Sequence, residues 1–219
     1  MPGRLTPLIT NNFYHIFNKG VASRTIFENQ FDYQRAQNSL LYYRYQQPPI
    51  KFSRLKNLPS SDRADLLKQL EKEEKQVNLI AFCLMPNHFH LLLKQNIDNG
   101  ISKYLSNFSN SYTRYFNTKN ERLGPLFLGK FKAVLIKNND QLLHVSRYIH
   151  LNPYSAGIIK NKQEILKYPY SSLNLNSTSK VESQIIEEQF KNFKTYHQFI
   201  LDQADYQKNL QLIKNQILE

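Results

Sequence analysis

The chain has 219 residues, of which 41% are hydrophobic, and 29 lysines and arginines stand against 17 acids for a formal charge of +12. That apolar content supports one domain with a buried core plus an appendage and excludes a disordered chain. The charge asks for a polyanionic partner, either nucleic acid or an anionic membrane surface. No apolar run nears the ~18 residues of a spanning helix, and Met1-Pro2-Gly3-Arg4-Leu5-Thr6 lacks the layout of a signal peptide. We therefore expect no membrane partner and a cytoplasmic protein.

In chain order, Phe13-Tyr14-His15-Ile16-Phe17-Asn18 has strand composition and ends at the turn signal Lys19-Gly20. Tyr33, Ala36, Leu40 and Tyr43 recur at three- and four-residue spacing and predict a helix over 32–44, closed by Pro48-Pro49. Residues 48–76 read as a surface insertion holding a charged helix from Ser60 or Ser61 to Gln76. Residues 77–84 and 88–94 then form an antiparallel hairpin around Met85-Pro86-Asn87. The single cysteine, Cys83, lies in the apolar stretch 79–84, which rules out an intrachain disulfide and predicts a buried, inert thiol.

A helix over 102–117 carries Tyr104, Leu105, Phe108, Tyr112, Tyr115 and Phe116, and a strand follows over 127–136. Another helix starts near Asn139-Asp140 and runs towards Asn152-Pro153. From 185 to 218 two amphipathic helices are expected, with Ile186, Phe190 and Phe193 and then Tyr206, Leu210, Ile213 and Ile217 in register, packing on the core. The order strand, helix, strand, strand, helix, strand, helix predicts an α+β, ferredoxin-like antiparallel sheet with helices on one face, followed by C-terminal helices.

Two features carry chemistry. Alternate side chains of a strand share a face, so His88 and His90 point the same way beside the Pro86-Asn87 turn, and two ring nitrogens can converge on one cation. In the helix from Asp140, Leu142, Val145 and Ile149 make the apolar stripe, while His144, Tyr148 and Asn152 recur every four residues on another face. Spacing alone does not choose among the 14 tyrosines. Between Asn99 and Asn139 stand Lys103, Arg114, Lys119, Arg122, Lys130, Lys132 and Lys137 against one acid, Glu121, interleaved with aromatic residues as a phosphate-tracking, base-stacking surface would be. Lys19 and Arg24 flank the first turn.

The segment Leu84-Met85-Pro86-Asn87-His88-Phe89-His90-Leu91-Leu92-Leu93, together with Ser146-Arg147-Tyr148-Ile149-His150-Leu151-Asn152-Pro153 and Ala156-Gly157, closely resembles the REP-associated tyrosine transposases, a branch of the small single-tyrosine HUH transposases. The likeness runs from Tyr14-His15 through Phe127-Leu128-Gly129-Lys130-Phe131-Lys132-Ala133 to Tyr168-Pro169-Tyr170-Ser171-Ser172 and covers most of residues 13–175. It implies an HUH domain over 1–175 and a helical extension over 176–219. It also implies His88 and His90 as metal ligands, Asn152 as a third ligand and Tyr148 as nucleophile. The expected activity is metal-dependent cleavage and joining of single-stranded DNA through a 5′-phosphotyrosine, on a hairpin or palindromic repeat. A phenol with a pKa near ~10 attacks a phosphodiester poorly and needs a cation on the phosphate, here Mg²⁺ or Mn²⁺. Lys19, Arg24, Arg114, Lys130, Lys132 and Lys137 are the candidate DNA contacts. Monomer and homodimer both stay open. The competing class is a non-enzymatic nucleic-acid-binding module of the same fold. A two-histidine phosphoesterase would need a second His-x-Ser/Thr unit, which none of His15, His144, His150 or His197 supplies.

Overall fold

A computed structural model describes residues 7–174 and 181–217, with side chains as far as Gln211. Segment 1–6, the expected boundary at 175–176 and the side chains of Ile213 and Ile217 lie outside the described residues. Strand β1 (Phe13–Lys19) leads into α1 (Gln30–Tyr43), whose first amides are capped by the Asn29 side chain. The insertion holds α2 (Phe52–Leu55) and α3 (Ser60–Leu70). Helix α3 stops short of the expected Gln76, and Ser60 is its first helical residue rather than its cap. Strands β2 (Val77–Met85) and β3 (His88–Gln95) form the hairpin, followed by α4 (Gly100–Lys119), β4 (Lys132–Ile136) and α5 (Asn139–Ser155). The tail is α6 (Gln184–Glu187), α7 (Phe193–Leu201) and α8 (Ala204–Ile217). Among the described residues no helix is long and apolar enough to cross a membrane.

The sheet order is β2-β3-β1-β4, and the pairs β2–β3, β3–β1 and β1–β4 are all antiparallel, as the ferredoxin-like reading requires. β4 is shorter than expected: only Lys132–Ile136 pairs with β1, and Phe127 makes an isolated bridge to Gly20. Register divides the side chains. Tyr14, Ile16, Phe82, Leu84, Phe89, Leu91 and Leu93 pack against α1 and α4 through Leu40, Tyr104, Phe108 and Tyr112. This is the expected helical face. Helix α5 departs from it: Cys83, Met85, Ala81 and Leu92 on the other face pack against Leu142 and Ile149 of α5 and Tyr196 and Ile200 of α7. The last helices thus close the second face, because β2 is apolar on both sides and Leu92 of β3 extends its apolar patch.

Two further contacts fix that closure. The edge strand β2 is covered by 168–172: Leu84 N donates to Tyr170 O (2.9 Å), Tyr168 Oη to Leu84 O (2.9 Å) and Phe82 N to Ser172 Oγ (2.9 Å). Ahead of α6, the Glu182 carboxylate accepts from Arg44 Nη1 (3.1 Å), Lys75 Nζ (2.7 Å) and Leu79 N (2.8 Å). The tail docks as expected through Ile186, but Phe193, Tyr206 and Leu210 remain exposed. α8 instead meets α5 through polar contacts, with Tyr154 Oη donating to Asp205 Oδ1 (2.7 Å).

Candidate active site

Along β3 the second core gives way to polar groups: Leu92 is fully buried, His90 is 6% exposed and His88 is half-buried at the hairpin. On the neighbouring strand Phe17 pairs with His90, Lys19 with His88 and His15 with Leu92, so all of these side chains share one face. The Pro86-Asn87 turn that delivers His88 is held from the β1–α1 loop, where Gly20 N donates to Asn87 O (2.8 Å) and Ile26 N to Pro86 O (2.7 Å). Gly20 is required there: an added Cβ would lie 2.4 Å from Arg24 O and 2.8 Å from Ile26 Cγ2.

Helix α5 brings the phenol. The Tyr148 ring lies 5.6 Å from the His90 ring and 5.7 Å from the His15 ring, both edge-on. The His88 and His90 rings are 5.1 Å apart. Helix α5 is capped by Asn138, one residue earlier than the sequence suggested, and continues through Pro153 to Ser155. Asn152 therefore stays helical beside Tyr148, its Nδ2 donating to Tyr148 O (2.8 Å). Burial raises the pKa of the Tyr148 hydroxyl, and a hydrogen bond from the Asn152 side chain pulls it partly back.

Hydrogen bonds constrain the imidazoles. Asn87 Nδ2 donates to Ser23 O (3.4 Å), which turns Asn87 Oδ1 towards His88 Nδ1 at 2.6 Å. An amide oxygen only accepts, so His88 carries its proton on Nδ1 and keeps a lone pair on Nε2. His90 Nδ1 faces His15 Nε2 at 2.9 Å. Burial lowers the His15 pKa to about 4, and burial with the Lys19 charge lowers His88 to about 4. Burial, then the neighbouring imidazoles, holds His90 well below 6.5. Two neutral imidazoles on one strand face, His88 and His90, suit a divalent cation, with His15 behind His90. Among the described residues no three His, Cys, Asp or Glu side chains converge on one point, so amide, water or phosphate oxygens would have to complete an ion's shell.

The sequence-expected residues divide between two sides of the sheet. His88, His90 and Tyr148 come together, Asn152 lies beside Tyr148, and Lys19 is opposite His88 and Lys132 opposite Phe17 on the same face. Lys130 is exposed just ahead of β4, Lys137 just after it, and Arg24 after the first turn. Arg114 is elsewhere, on the outer surface of α4 beyond the opposite face of the sheet. His144 is exposed beside Arg147 (2.6 Å), whereas His150 is buried against Ser171 Oγ (2.9 Å) as a packing residue. Sequence reasoning missed His15 as a site residue. Its place two residues before Phe17 on the first strand was the available signal, but only the β1–β3 register puts it beside His90.

Residues 54–152 match the model of the IS200-like transposase family, which bears out the likeness carried by the two motifs. The matched segment, which holds the His88–His90 strand and Tyr148, is similar to the IS200-like transposases. Among solved structures, a REP-associated tyrosine transposase bound to a REP hairpin superposes with a TM-score of 0.56 at 14% identity, covering 83% of this chain and 88% of the other. That likeness shows the fold. A Deinococcus radiodurans protein provisionally called a transposase gives a TM-score of 0.36 at 14% identity, covering 68% and 95%, and adds nothing to the fold assignment. No curated protein sequence matches the chain.

Proposed function

We propose that this protein is a transposase-like, metal-dependent DNA transesterase that cleaves and rejoins single-stranded DNA through Tyr148, on a hairpin or palindromic repeat. The observation that carries this reading is the meeting of the Tyr148 ring with His15 and His90, each within 6 Å by ring centroid, from elements more than fifty residues apart in sequence. His88 Nε2 and His90 Nε2, with the Asn152 amide, would hold a divalent cation, Mg²⁺ or Mn²⁺. When bound, the cation supplies charge neutralisation on the phosphate and the departing oxygen. Tyr148 Oη attacks phosphorus and loses its proton to solvent. The P–O3′ bond breaks, and the 3′-oxygen takes up a proton to leave a free 3′-OH and a 5′-phosphotyrosine. Another 3′-OH reverses the step without a nucleotide cofactor.

His15 has a positioning role in this reading. A metal-ligating His90 needs its lone pair on Nε2 and its proton on Nδ1, which His15 Nε2 then accepts. Lys19 and Lys132 on the same face, with the exposed Lys130, Lys137 and Arg24, would contact the strand's phosphates. The reading is tested with a hairpin strand labelled at one end or the other. The fragment downstream of the cut should stay on the protein and the upstream fragment should be released with a 3′-OH. Retention of the upstream fragment would refute the assigned polarity.

A further inference from the structure

The insertion between α1 and β2 does more than decorate the surface. With the outer faces of α1 and α4 it encloses a groove of about 1010 Å³ whose lining includes Arg35, Lys51, Arg54, Lys56, Lys103 and Arg114 and contains no acidic side chain. We propose that this groove is a second DNA site, one that binds the phosphate backbone of a duplex on the side of the molecule opposite Tyr148. DNA, among polyanions, is chosen on the strength of the transposase reading above; the groove itself is independent of the tyrosine chemistry.

Six of the groove's seven cations make no ion pair with a described carboxylate. The seventh, Lys119 at its end, pairs with Asp32 (2.8 Å) and Glu28 (3.0 Å). Arg35 is the anchor. Its guanidinium carbon sits 4.3 Å from the Phe52 ring centroid and 5.5 Å from that of Tyr115, and its buried Nε has no hydrogen-bond partner. Three elements, α1, α2 and α4, thus build a slot around a half-buried guanidinium without supplying an anion. Such a group costs desolvation unless an anion meets its planar fork, and phosphate does so bidentately.

The groove's form favours a duplex over an unpaired strand. Phe52 and Tyr115 are turned onto Arg35 and Tyr43 is buried, which leaves no free ring face in the groove for stacking an unpaired base. Apart from Pro48, Pro49 and Ile50, what remains is cation, amide and hydroxyl, the donor set of sugar-phosphate contacts. On α4, Lys103, Asn107, Asn110 and Arg114 recur at three- and four-residue intervals and make one stripe. From Lys103 to Arg114 the stripe is about 16 Å long, roughly the rise of five base pairs. The sheet lies between this stripe and the His15–His90–Tyr148 cluster, so DNA in the groove is a different segment from the strand at the tyrosine.

The full-length chain tests this with a blunt, hairpin-free duplex of about two helical turns, its affinity followed by fluorescence anisotropy between ~50 and ~200 mM salt. A groove variant, Lys51→Ala/Arg54→Ala/Lys103→Ala/Arg114→Ala, is compared with a control that removes the same charge at exposed positions elsewhere, Lys68→Ala/Lys72→Ala/Lys191→Ala/Lys194→Ala. The groove variant should lose at least about tenfold in duplex affinity, and its salt slope should fall by up to about 3.6, since each of the four phosphate contacts contributes ~0.9. The control should lose far less. In the otherwise intact chain, Arg35→Lys, which keeps the charge but loses the fork, should weaken duplex binding several-fold. Equal losses in groove variant and control, or a loss confined to single strands, would overturn the proposal. Repeating the comparison in a Tyr148→Phe background should give the same result, so failure of the nucleophile and failure of the groove read out separately.

Discussion

At the scale of single residues, the centre depends on which nitrogen of each imidazole holds the proton. His88 has this settled by Asn87, whose oxygen can only accept. Titration calorimetry with Mn²⁺ should show His88→Ala losing at least about tenfold in affinity, and equal affinity would contradict the ligand assignment. His15 acts at one remove. In His15→Phe the ring packing is kept but the acceptor for His90 Nδ1 is lost, and Mn²⁺ affinity should fall by about 10- to 100-fold, the range typical of partners behind metal ligands. His15→Gln, which restores an acceptor, should recover part of it. The His-x-His pair was legible in the sequence because strand alternation places both rings on one face. His15 was not, because a strand pattern does not say which neighbour it pairs with.

At the scale of elements, the turn that carries His88 is set by a loop from another part of the chain. Gly20 lets that loop approach, since a Cβ there would collide with backbone oxygen rather than with a yielding side chain. Gly20→Ala should destabilise the protein by about 1–3 kcal/mol in denaturant unfolding, as overpacking does. It should also weaken Mn²⁺ binding by displacing Asn87. Unchanged stability and metal affinity would show that the turn is not held in this way. Element order and type were legible from period and turn signals; the ends were not. Asn138 rather than Asn139 or Asp140 caps α5, because either neighbour could offer a side-chain oxygen and only the backbone geometry selects one. Helix α5 lies on the sheet face away from α1 and α4 because β2 is apolar on both sides, a property that the long run 79–84 displays but that a one-layer reading of the fold does not use.

At the scale of the whole molecule, the two layers have different sensitivities to pH. His150 is buried between sheet and tail, and burial holds its pKa to about 3 against 6.5 for a free imidazole, with the His197 charge adding to the effect. The unfolded chain therefore binds a proton that the folded chain refuses. This contribution to stability is complete above pH 6.5 and is lost as pH falls from 6.5 towards 3, with a slope approaching 1.4 kcal/mol per pH unit. His15, His88 and His90 add slopes of the same sign, so His150→Asn should reduce the dependence of unfolding free energy on pH across that window by up to about 1.4 kcal/mol per pH unit, and an unchanged slope would reassign the effect. The charge of +12 should make single-strand affinity fall steeply with salt, and a flat response would remove the electrostatic basis for DNA binding. The sequence displayed this positive charge but not its division. Only the fold puts Lys19 and Lys132 on the tyrosine's face and Arg114 beyond the other.

The most direct test of the central claim is to locate the covalent DNA adduct. A single-stranded hairpin is incubated with the protein and a divalent cation, the complex is digested with protease and nuclease, and the modified tyrosine is read by mass spectrometry. The expected result is a phosphodeoxynucleotide on Tyr148 that is lost in Tyr148→Phe and in the presence of chelator. An adduct on another tyrosine such as Tyr112 or Tyr115, or one that survives Tyr148→Phe, would contradict it.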